Sequence, residues 1–450
     1  MKINPKIFKA YDIRGKEGQD LTPEFAKRLG GAYIVWLKEK INKNNPLVVV
    51  SHDVRELSLL LAKNLAKGMS MAGANVIFSG ESSTSMYYFV VNITKADGGI
   101  MVTASHNPKG DNGFKICLAG AVTVGLGDGL EEIQNLMENE TDFAGEDEGS
   151  VETKNFLSDY VNFLTRIEID YKEKIIIDCA NGAVGPIMEE VLRKLNLNAE
   201  KLFFNPDSNF PNHDPNPLKE GALNKLVVKV KESGAELGIA FDADGDRVFF
   251  IKKDGSLVGA DVMAIILSRH FLQKQKGENI VLDLRMSREV LEEIKGGKGN
   301  AIISRVGHTF IKQAMRQNNA VFGAELSGHY YFRDFFFADG AIFAALLFLK
   351  IIGEGGKTLE EITHGLRNWE KSDEMNFKVE NAPALIEKVK EKFKDGKQKE
   401  IDGLSVDYAD WWFNLRASNT EPLVRLVVEA KNKETLKEKV GVLTSLILGV

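Results

Sequence analysis

Residues 100–115 read I-M-V-T-A-S-H-N-P-K-G-D-N-G-F-K, and the rest of the chain is organised around this stretch. The apolar run 100–102 predicts a β-strand, and Pro108 and two glycines then interrupt regular structure. Ser105 would lie at the carboxyl end of that strand, the edge at which open α/β sheets bind ligands, and we expect it to be exposed enough to act as a nucleophile. The alternative is an ordinary turn whose polar side chains only satisfy backbone groups.

Length and composition limit the classes of protein to which this chain can belong. A length of 450 residues predicts about three domains, and 44% hydrophobic with 27% charged residues is typical of a globular protein. A net charge of −6 without a basic tract argues against nucleic-acid binding. Cys117 and Cys179 are too few for a disulfide framework, and we expect both to be reduced. No signal peptide or membrane-spanning run is recognisable, so we expect a cytoplasmic protein without a membrane partner.

An internal repeat organises most of the chain. Three segments share the order strand, helix, strand, helix, strand, and in each the third strand ends in a polar loop; they span 47–115, 175–247 and 280–329. This alternation predicts α/β domains with mixed, largely parallel sheets covered on both faces. Near residue 368 the pattern changes to that of a smaller α+β domain. We therefore predict four domains, at 1–147, 148–251, 252–367 and 368–450.

The loop that ends the second repeat is acidic. Asp242, Asp244 and Asp246 follow an apolar strand at two-residue spacing, which in an extended chain places all three carboxylates on one side. Three carboxylates without histidine or cysteine predict an oxygen site suited to Mg²⁺. An EF-hand is disfavoured because Lys253 stands at the twelfth position and a strand precedes the loop. The remaining alternative, a solvated acidic turn, is disfavoured by the flanking apolar strands and by Arg247.

The loop that ends the third repeat carries Glu325, Ser327 and His329 at alternate positions. In an extended segment these side chains would face one ligand. A carboxylate and a hydroxyl suit neighbouring sugar hydroxyls, and histidine can both bind and move a proton near neutral pH. Taken alone, the pattern is also typical of an ordinary strand end.

A last polar loop, R-A-S-N-T-E-P-L-V-R, lies in the smaller domain. Guanidinium groups, hydroxyls, an amide and backbone N–H groups at a turn predict a phosphate cradle without a P-loop. A capped turn before a strand is the alternative. The cradle would consist of Arg416, Ser418, Asn419, Thr420 and Arg425.

The four loops together resemble the motifs of the α-D-phosphohexomutases. The segment T-A-S-H-N-P resembles the family's active-site signature, D-A-D-G-D-R its metal loop, A-E-L-S-G-H its sugar-recognition loop and R-A-S-N-T-E-P its phosphate-binding loop. One departure is Ala324, where a second glycine is common. The resemblance covers essentially the whole chain and implies four domains around a central cleft.

The resemblance also implies roles for individual residues. Ser105 would carry a phosphoryl group and ligate the metal with the three aspartates. Roles in catalysis would fall to Arg14, Lys115, Arg247, His308 and His329 as well as Ser105. Substrate contacts would come from Tyr11, Arg285, Glu325, Ser327 and His329, and from the phosphate cradle. Arg285 stands where lysine is common, which keeps the charge but changes its geometry.

We therefore predict a phosphosugar mutase that interconverts hexose 1-phosphate and hexose 6-phosphate, of mannose, glucose or both. The expected cofactors are Mg²⁺ and hexose 1,6-bisphosphate as intermediate and activator, and the expected state is a monomer or small homo-oligomer. Thr103 and Leu326 favour this branch over phosphoglucosamine mutases, which usually carry serine and a polar residue there. A phosphoglucosamine mutase of the same family remains the first alternative. A metal-dependent sugar phosphatase and a non-catalytic phosphosugar-binding protein are the others.

Overall fold

The computed structural model of the chain describes residues 3–139, 142–145, 147–354, 358–366, 369–417 and 423–449. The chain divides into two compact units. The first unit comprises Met1–Val258 and Ser327–Ile362, and the second comprises Gly259–Leu326 and Thr363–Val450. Throughout the described ranges, no helix combines the length and the apolar character needed to cross a membrane.

The first unit begins with a seven-stranded sheet flanked by helices. Its strands are β1 (Ile13–Lys16), β2 (Leu47–His52), β3 (Asn75–Glu81), β4 (Gly98–Val102), β5 (Asp111–Leu118), β6 (Val122–Val124) and β7 (Val151–Thr153). Its helices are α1 (Pro23–Ile41), α2 (Ser58–Met71), α3 (Thr84–Ile93) and α4 (Leu130–Asn139). The strand order is β1-β5-β4-β2-β3-β7, with β6 on β5. Strand β2 runs parallel to β3 and β4, whereas β5 is antiparallel to β4.

Local sequence explains how α1 and α2 cover this sheet. The Thr22 hydroxyl accepts the backbone N–H of Phe25 and so caps α1, which ends at Asn42 in the left-handed conformation. The two helices pack closely where each has a glycine. A Cβ at Gly30 would lie 2.3 Å from the carbonyl oxygen of Leu65 in α2, so only glycine permits this approach.

A second sheet follows in the same unit. Its elements are α5 (Leu157–Leu164), β8 (Ile175–Asp178), α6 (Gly185–Leu195), β9 (Ala199–Leu202), α7 (Asn224–Ser233), β10 (Leu237–Phe241), β11 (Val248–Lys252) and β12 (Leu257–Val258). The strand order is β12-β11-β10-β8-β9. Strand β8 is parallel to β9 and β10, and β11 is antiparallel to β10 and β12.

The second unit opens with a third α/β segment. Its elements are α8 (Ala260–Lys274), β13 (Asn279–Asp283), α9 (Arg288–Gly296), β14 (Asn300–Ser304), α10 (His308–Gln317) and β15 (Phe322–Ala324). Strand β13 is parallel to both β14 and β15. The chain then returns to the first unit with the antiparallel pair β16 (Tyr330–Phe332) and β17 (Ala338–Asp339), followed by α11 (Ala341–Glu354) and α12 (Leu359–Thr363). Helix α11 packs Phe348 against Phe250 of β11, with ring centroids 4.6 Å apart.

The last segment is a six-stranded antiparallel sheet with two helices. Its elements are β18 (Glu370–Lys371), β19 (Met375–Lys378), α13 (Ala382–Lys392), β20 (Lys397–Lys399), β21 (Leu404–Asp407), β22 (Trp411–Ala417), β23 (Leu423–Ala430) and α14 (Lys433–Leu448). Alternate residues of β22, including Phe413 and Leu415, are buried in a core shared with α13 and α14.

The predicted fold class, three α/β segments with mixed sheets and a smaller C-terminal α+β segment, is confirmed. The structure adds a regularity that the sequence pattern did not predict. In both sheets of the first unit the polar loop is the turn of an antiparallel hairpin, β4–β5 for the serine and β10–β11 for the aspartates. The four domain boundaries stay a prediction.

The long loop between β9 and α7 is anchored by His213. Its Nε2 lies 3.1 Å from both carboxylate oxygens of Asp178, at the end of β8, and its Nδ1 lies 2.8 Å from the carbonyl oxygen of Asp214. Both nitrogens face acceptors, so the doubly protonated ring satisfies both contacts. Burial lowers the pKa of His213, but the hydrogen bond and charge of Asp178 outweigh it, and the net pKa is raised.

We expect His213→Asn to destabilise the protein more at about pH 6 than at about pH 9. The folded pKa lies above the unfolded value of about 6.5, so the stabilisation is complete below that pH and is lost as the pH rises through the folded pKa. The difference in ΔΔG should be about 1.5 kcal/mol, typical of a hydrogen bond to a charged group. Urea denaturation at both pH values measures it. His364→Asn, at an exposed histidine, is the control; an equal loss for His213→Asn at both pH values would contradict the assignment.

Candidate active site

The serine loop is a tight turn between β4 and β5. The backbone of Ser105 has φ of 53°, a left-handed conformation that is uncommon for residues other than glycine. Its N–H donates to Thr103 Oγ1 at 2.8 Å, and its Oγ lies 3.1 Å from His106 Nδ1. Ser105 is only 3% exposed. The expectation of an exposed serine was therefore wrong, because hydrogen bonds from neighbouring elements hold the turn inward.

The aspartate loop is also a turn, not an extended chain. The N–H of Gly245 donates to the carbonyl of Asp242 at 3.1 Å, and Gly245 has φ of 68°. The N–H groups of Asp246 and Arg247 both donate to Asp242 Oδ1 at 3.1 Å. The carboxylates of the three aspartates, Asp242, Asp244 and Asp246, meet within 4.8 Å of one another. They converge as predicted, but through turn geometry and not through alternation along a strand.

The start of α3 supports this turn from the first sheet. Thr84 donates its hydroxyl to Asp244 Oδ2 at 2.6 Å and its N–H to the carbonyl of Asp244 at 2.8 Å. The Ser85 hydroxyl donates to the carbonyl of Gly245 at 2.9 Å. Sequence reasoning missed both residues. They lie 160 residues from the loop, and no pattern in the sequence connects them with it.

Lys115 bridges two of the carboxylates. Its Nζ lies 2.7 Å from Asp244 Oδ2 and 2.5 Å from Asp246 Oδ2, and the side chain is 4% exposed. Burial alone lowers the pKa of Lys115, but the charges of Asp244, Asp246 and Asp339 outweigh burial and raise it. The lysine is therefore an ammonium ion at neutral pH. It lies on β5, opposite Met101 on the strand that leads into the serine turn.

Two of the carboxylates, Asp242 and Asp246, differ in their affinity for protons. Burial and the neighbouring charge of Asp246 raise the pKa of Asp242 to about 8, against the opposing effect of Arg247. Burial acts in the same direction on Asp246, but Lys115 and His329 hold the pKa of Asp246 well below its usual range. Crowded carboxylates that compete for positive charge in this way provide a setting for a cation.

The donor set fits a hard divalent metal ion. All three carboxylates are buried, and together they offer only oxygen ligands. Within the part of the chain that the structure describes, the buried Asp244 Oδ1 accepts no hydrogen bond, and Arg247 Nη2 donates none. Arg247 is held in place by the bond from its Nε to Asp242 Oδ2 at 2.7 Å. The participation of Ser105 as a ligand stays a prediction.

Three more predicted residues lie in this region of the first unit. His329 Nε2 is 3.3 Å from Asp246 Oδ1, and its Nδ1 is 2.9 Å from Ser327 Oγ. Arg14 donates to Asn107 Oδ1 at 2.6 Å and so touches the serine loop. Burial lowers the pKa of Arg14, whereas the charges of Asp12, Asp244 and Asp246 raise it, with a net rise.

His106 connects the serine with the charged groups around it. Desolvation and the positive charges of Arg247 and Arg14 hold the pKa of His106 well below its usual range. The imidazole is therefore neutral at pH 7, with its Nδ1 beside Ser105 Oγ.

In the second unit, three of the predicted arginines converge on one carboxylate, Glu374. Glu374 Oε1 lies 2.7 Å from Arg416 Nη2 and 3.5 Å from Arg285 Nη1, and its Oε2 lies 3.8 Å from Arg425 Nη1. Burial raises the pKa of Glu374, but the three arginines outweigh burial and lower it. Arg285 is also paired with Asp283, at the end of β13. Sequence reasoning missed Glu374, which precedes β19 without a recognisable motif.

The remaining predicted residues are placed as follows. Glu325 follows β15 and is 3% exposed, and His308 begins α10 after Gly307. Residues 326–328 form a turn and a bend, so the alternation argued for this loop does not apply. Tyr11 is half-buried in the segment before β1. Ser418, Asn419 and Thr420 of the phosphate cradle lie outside the described residues.

Comparison with known proteins gives a consistent result along the chain. The family models described as phosphoglucomutase/phosphomannomutase α/β/α domains I, II and III match residues 5–143, 155–255 and 259–368, and the C-terminal domain model matches 374–440. The chain is 37% identical over 447 residues to a phosphomannomutase of Methanocaldococcus jannaschii, covering 98% of this chain and 97% of that protein. It is 37% identical over 453 residues to a phosphomannomutase of Vibrio cholerae, covering 98% of each.

The solved structures give the same picture. The crystal structure of a phosphoglucomutase/phosphomannomutase family protein from Burkholderia thailandensis is similar to this chain, with a TM-score of 0.90 and 30% sequence identity. The match covers 97% of this chain and 96% of that one.

We expect Lys115→Met to lower the free energy of unfolding by about 3–5 kcal/mol in the presence of a chelator, because it leaves two buried carboxylates without their cation. The matched control is Lys16→Met. Lys16 pairs with Asp111 at 2.5 Å but is 60% exposed, so its removal should cost less than about 1 kcal/mol. Thermal and urea denaturation of both variants measure the difference. Similar small losses in the two variants would show that the Lys115 bridge contributes little.

Proposed function

Since the chain belongs to the phosphoglucomutase/phosphomannomutase family of enzymes, we propose that it interconverts hexose 1-phosphate and hexose 6-phosphate through a phosphorylated Ser105. The observation that carries the proposal is the charge arrangement of the first unit. Lys115 bridges a buried cluster of carboxylates that lies near the serine turn. Arg14 donates to Asn107 of the turn and His106 contacts Ser105 Oγ, and both residues also interact electrostatically with Asp246 of the cluster. This is the setting that phosphoryl transfer requires.

The proposed reaction has two phosphoryl transfers. In the first, a hydroxyl oxygen of the sugar attacks the phosphorus of phosphoserine, the bond from phosphorus to Ser105 Oγ breaks, and the proton of the hydroxyl passes to Oγ through a protein group. The product of this step is hexose 1,6-bisphosphate. Before the second transfer the bisphosphate turns end for end. Ser105 Oγ then attacks the phosphorus of the other phosphate, the bond from that phosphorus to the sugar oxygen breaks, and the proton of the serine hydroxyl passes to the sugar oxygen through a protein group. An enzyme that loses its phosphoryl group would need hexose 1,6-bisphosphate as activator to restore it.

Several side chains support the charge and proton movements. The carboxylates of Asp242, Asp244 and Asp246 would hold Mg²⁺, which when bound supplies positive charge next to the phosphoryl oxygens. Arg247, whose Nη2 is buried, adds a guanidinium donor to the same region. The raised pKa of Lys115 keeps its ammonium group charged, which suits stabilisation of negative charge.

More than one residue is a candidate for the proton transfers of the proposed reaction. Besides Lys115, His308 and His329 are proposed as acid or base. His329 already contacts both Asp246 and Ser327, which places its imidazole beside the carboxylate cluster.

The second unit supplies a site for the distal phosphate. Arg416 and Arg425 lie directly opposite each other in the β22–β23 register, where two like charges are normally destabilising. Arg285 joins them at Glu374 and is also paired with Asp283, so three positive charges face two negative ones. An incoming phosphate would meet the remaining positive charge. Among the described residues, Arg416 Nε and Arg425 Nε are buried and donate no hydrogen bond, so both can bind an incoming anion.

Two functions of other classes are less compatible with this arrangement. A metal-dependent phosphatase has no need of a second phosphate site, and a non-catalytic binding protein has no need of a buried metal-type cluster. Incubation with glucose 1-phosphate and Mg²⁺ separates the three, because the product is glucose 6-phosphate, free phosphate or nothing. A cytoplasmic location and a monomeric or small homo-oligomeric state stay predictions.

We expect Ser105→Ala to remove nearly all mutase turnover while phosphosugar binding stays measurable, because loss of a covalent nucleophile lowers turnover more than affinity. Coupled steady-state assays and calorimetric titration with glucose 1-phosphate measure the two effects. Ser150→Ala, at an exposed serine outside the site, is the control. Substantial turnover by the Ser105 variant would rule out the phosphoserine route.

Sugar preference is proposed from the loop that follows β15. Glu325 and Ser327 suit neighbouring hydroxyls that glucose and mannose share, and the apolar side chain of Leu326 offers no partner for an amino group. Thr103 carries less weight than the sequence argument gave it. Its hydroxyl accepts the N–H of Ser105, a contact that serine could also make.

We expect kcat/KM for glucose 1-phosphate and mannose 1-phosphate to agree within about tenfold, a difference of roughly 1.4 kcal/mol in transition-state binding. Glucosamine 1-phosphate should be clearly poorer, and Leu326→Gln should narrow that gap by adding a hydrogen-bonding group. Side-by-side steady-state kinetics on the three sugars decides the matter. A preference of the wild-type enzyme for glucosamine 1-phosphate would transfer the protein to the alternative branch and leave the mutase chemistry intact.

A further inference from the structure

Arg55, in the loop between β2 and α2, holds the serine turn by its backbone. Its Nη2 donates to the carbonyl oxygens of Ser105 at 2.6 Å and Asn107 at 2.7 Å. Its Nη1 donates to the carbonyl oxygens of Pro108 at 3.1 Å and Asp111 at 3.0 Å. One guanidinium thus gathers four carbonyl groups of a turn that forms no regular structure.

The side chain of Arg55 is itself fixed. It is 5% exposed, and its Nε donates to Asp53 Oδ2 at 3.1 Å, so all five guanidinium N–H donors have acceptors. The other oxygen of Asp53 accepts the N–H of Arg55 at 3.0 Å and the hydroxyl of Ser58 at 2.5 Å. The ring of Phe210 lies 5.4 Å from the guanidinium carbon. A group held from several sides in this way can impose its geometry on the turn.

The turn needs such a hold. Four carbonyl dipoles directed toward one point repel one another, and the left-handed conformation of Ser105 costs about 1–2 kcal/mol for a residue with a Cβ. The bond from Arg55 to the Ser105 carbonyl, together with that from the Ser105 N–H to Thr103, fixes both peptide groups of the serine. These two peptide planes fix the position of Ser105 Cβ, and the contact of Oγ with His106 Nδ1 at 3.1 Å then sets the direction of Oγ.

We propose that Arg55 is a positioning residue that sets the direction of Ser105 Oγ for phosphoryl transfer. The proposal rests on the proposed function, in which Oγ is the acceptor and donor of the phosphoryl group. Within the described residues, the guanidinium of Arg55 hydrogen-bonds to backbone carbonyls and to Asp53 and lies near the Phe210 ring, so it acts through the serine and not on the substrate. Lysine cannot replace it, because three donors on one nitrogen cannot reach four carbonyls and a carboxylate.

The test compares Arg55→Lys with wild type in steady-state kinetics. We expect kcat to fall about 100-fold while KM stays within about threefold, because a displacement of roughly 1 Å in a reacting atom costs about that much in rate without changing substrate contacts. Arg193→Lys is the matched control, since Arg193 is an exposed residue of α6 that pairs with Glu190 at the surface. Arg55→Ala should regain part of its kcat when guanidinium is added well below denaturing concentrations.

A purely structural role gives a different result. In that case the thermal stability of Arg55→Lys falls, kcat per folded molecule equals that of wild type, and guanidinium restores no turnover; these outcomes overturn the proposal.

Hydrogen exchange separates this proposal from the proposed function. We expect faster exchange in the 103–111 peptide of Arg55→Lys than of wild type, with other peptides unchanged. If wild type shows no mutase turnover, the proposed function fails, and the exchange result alone decides whether Arg55 holds the turn. Unchanged exchange in that peptide would overturn the proposal whatever the turnover.

Discussion

The contact of the Lys115 ammonium with Asp244 and Asp246 is the interaction on which the site of the first unit depends. These residues lie about 130 positions apart, on β5 and on the turn between β10 and β11. A buried ion costs several kcal/mol unless it is paired, so carboxylates packed this closely require a fixed cation. Lys115 supplies that charge in the protein alone. The hydroxyl of Thr84 donates to Asp244 as well and connects the start of α3 with the same turn.

The second unit contains a cluster of the opposite charge, which is likewise stabilised by pairing. Arg285, Arg416 and Arg425 place positive charge in a partly buried region, where Glu374 contacts all three and Asp283 pairs with Arg285. One cluster therefore keeps an excess of oxygen ligands and the other an excess of guanidinium donors. The excess of oxygen ligands would suit a divalent cation, and the excess of guanidinium donors would suit the negative charge of a phosphosugar. Each cluster is nearly balanced without its ligand, which limits the destabilisation that uncompensated buried charge would cause.

Backbone geometry is the second general constraint. The serine and aspartate loops are both turns of antiparallel hairpins beside parallel strands, and both use a left-handed residue, at Ser105 and at Gly245. Side chains two positions apart lie closer together in a turn than in an extended segment, so they can bind the same ligand. It also directs several carbonyl or N–H groups to one side, where another group must satisfy them. Asp242 does so for the aspartate loop and Arg55 for the serine loop.

The sequence by itself determined the alternation of strands and helices, the class of the C-terminal segment, and the chemical identity of the polar loops. These features depend on local periodicity and on residue types that occur together within a few positions. Only the tertiary structure decided that Ser105 is buried, that Lys115 bridges Asp244 and Asp246, that Thr84 and Glu374 belong to the two clusters, and that Arg55 holds the serine turn. Such contacts join residues tens to more than a hundred positions apart, and hydrogen bonds at that separation leave no periodic trace in the chain. Burial and backbone conformation likewise depend on what packs against a loop, which is a property of the fold and not of the loop's own residues.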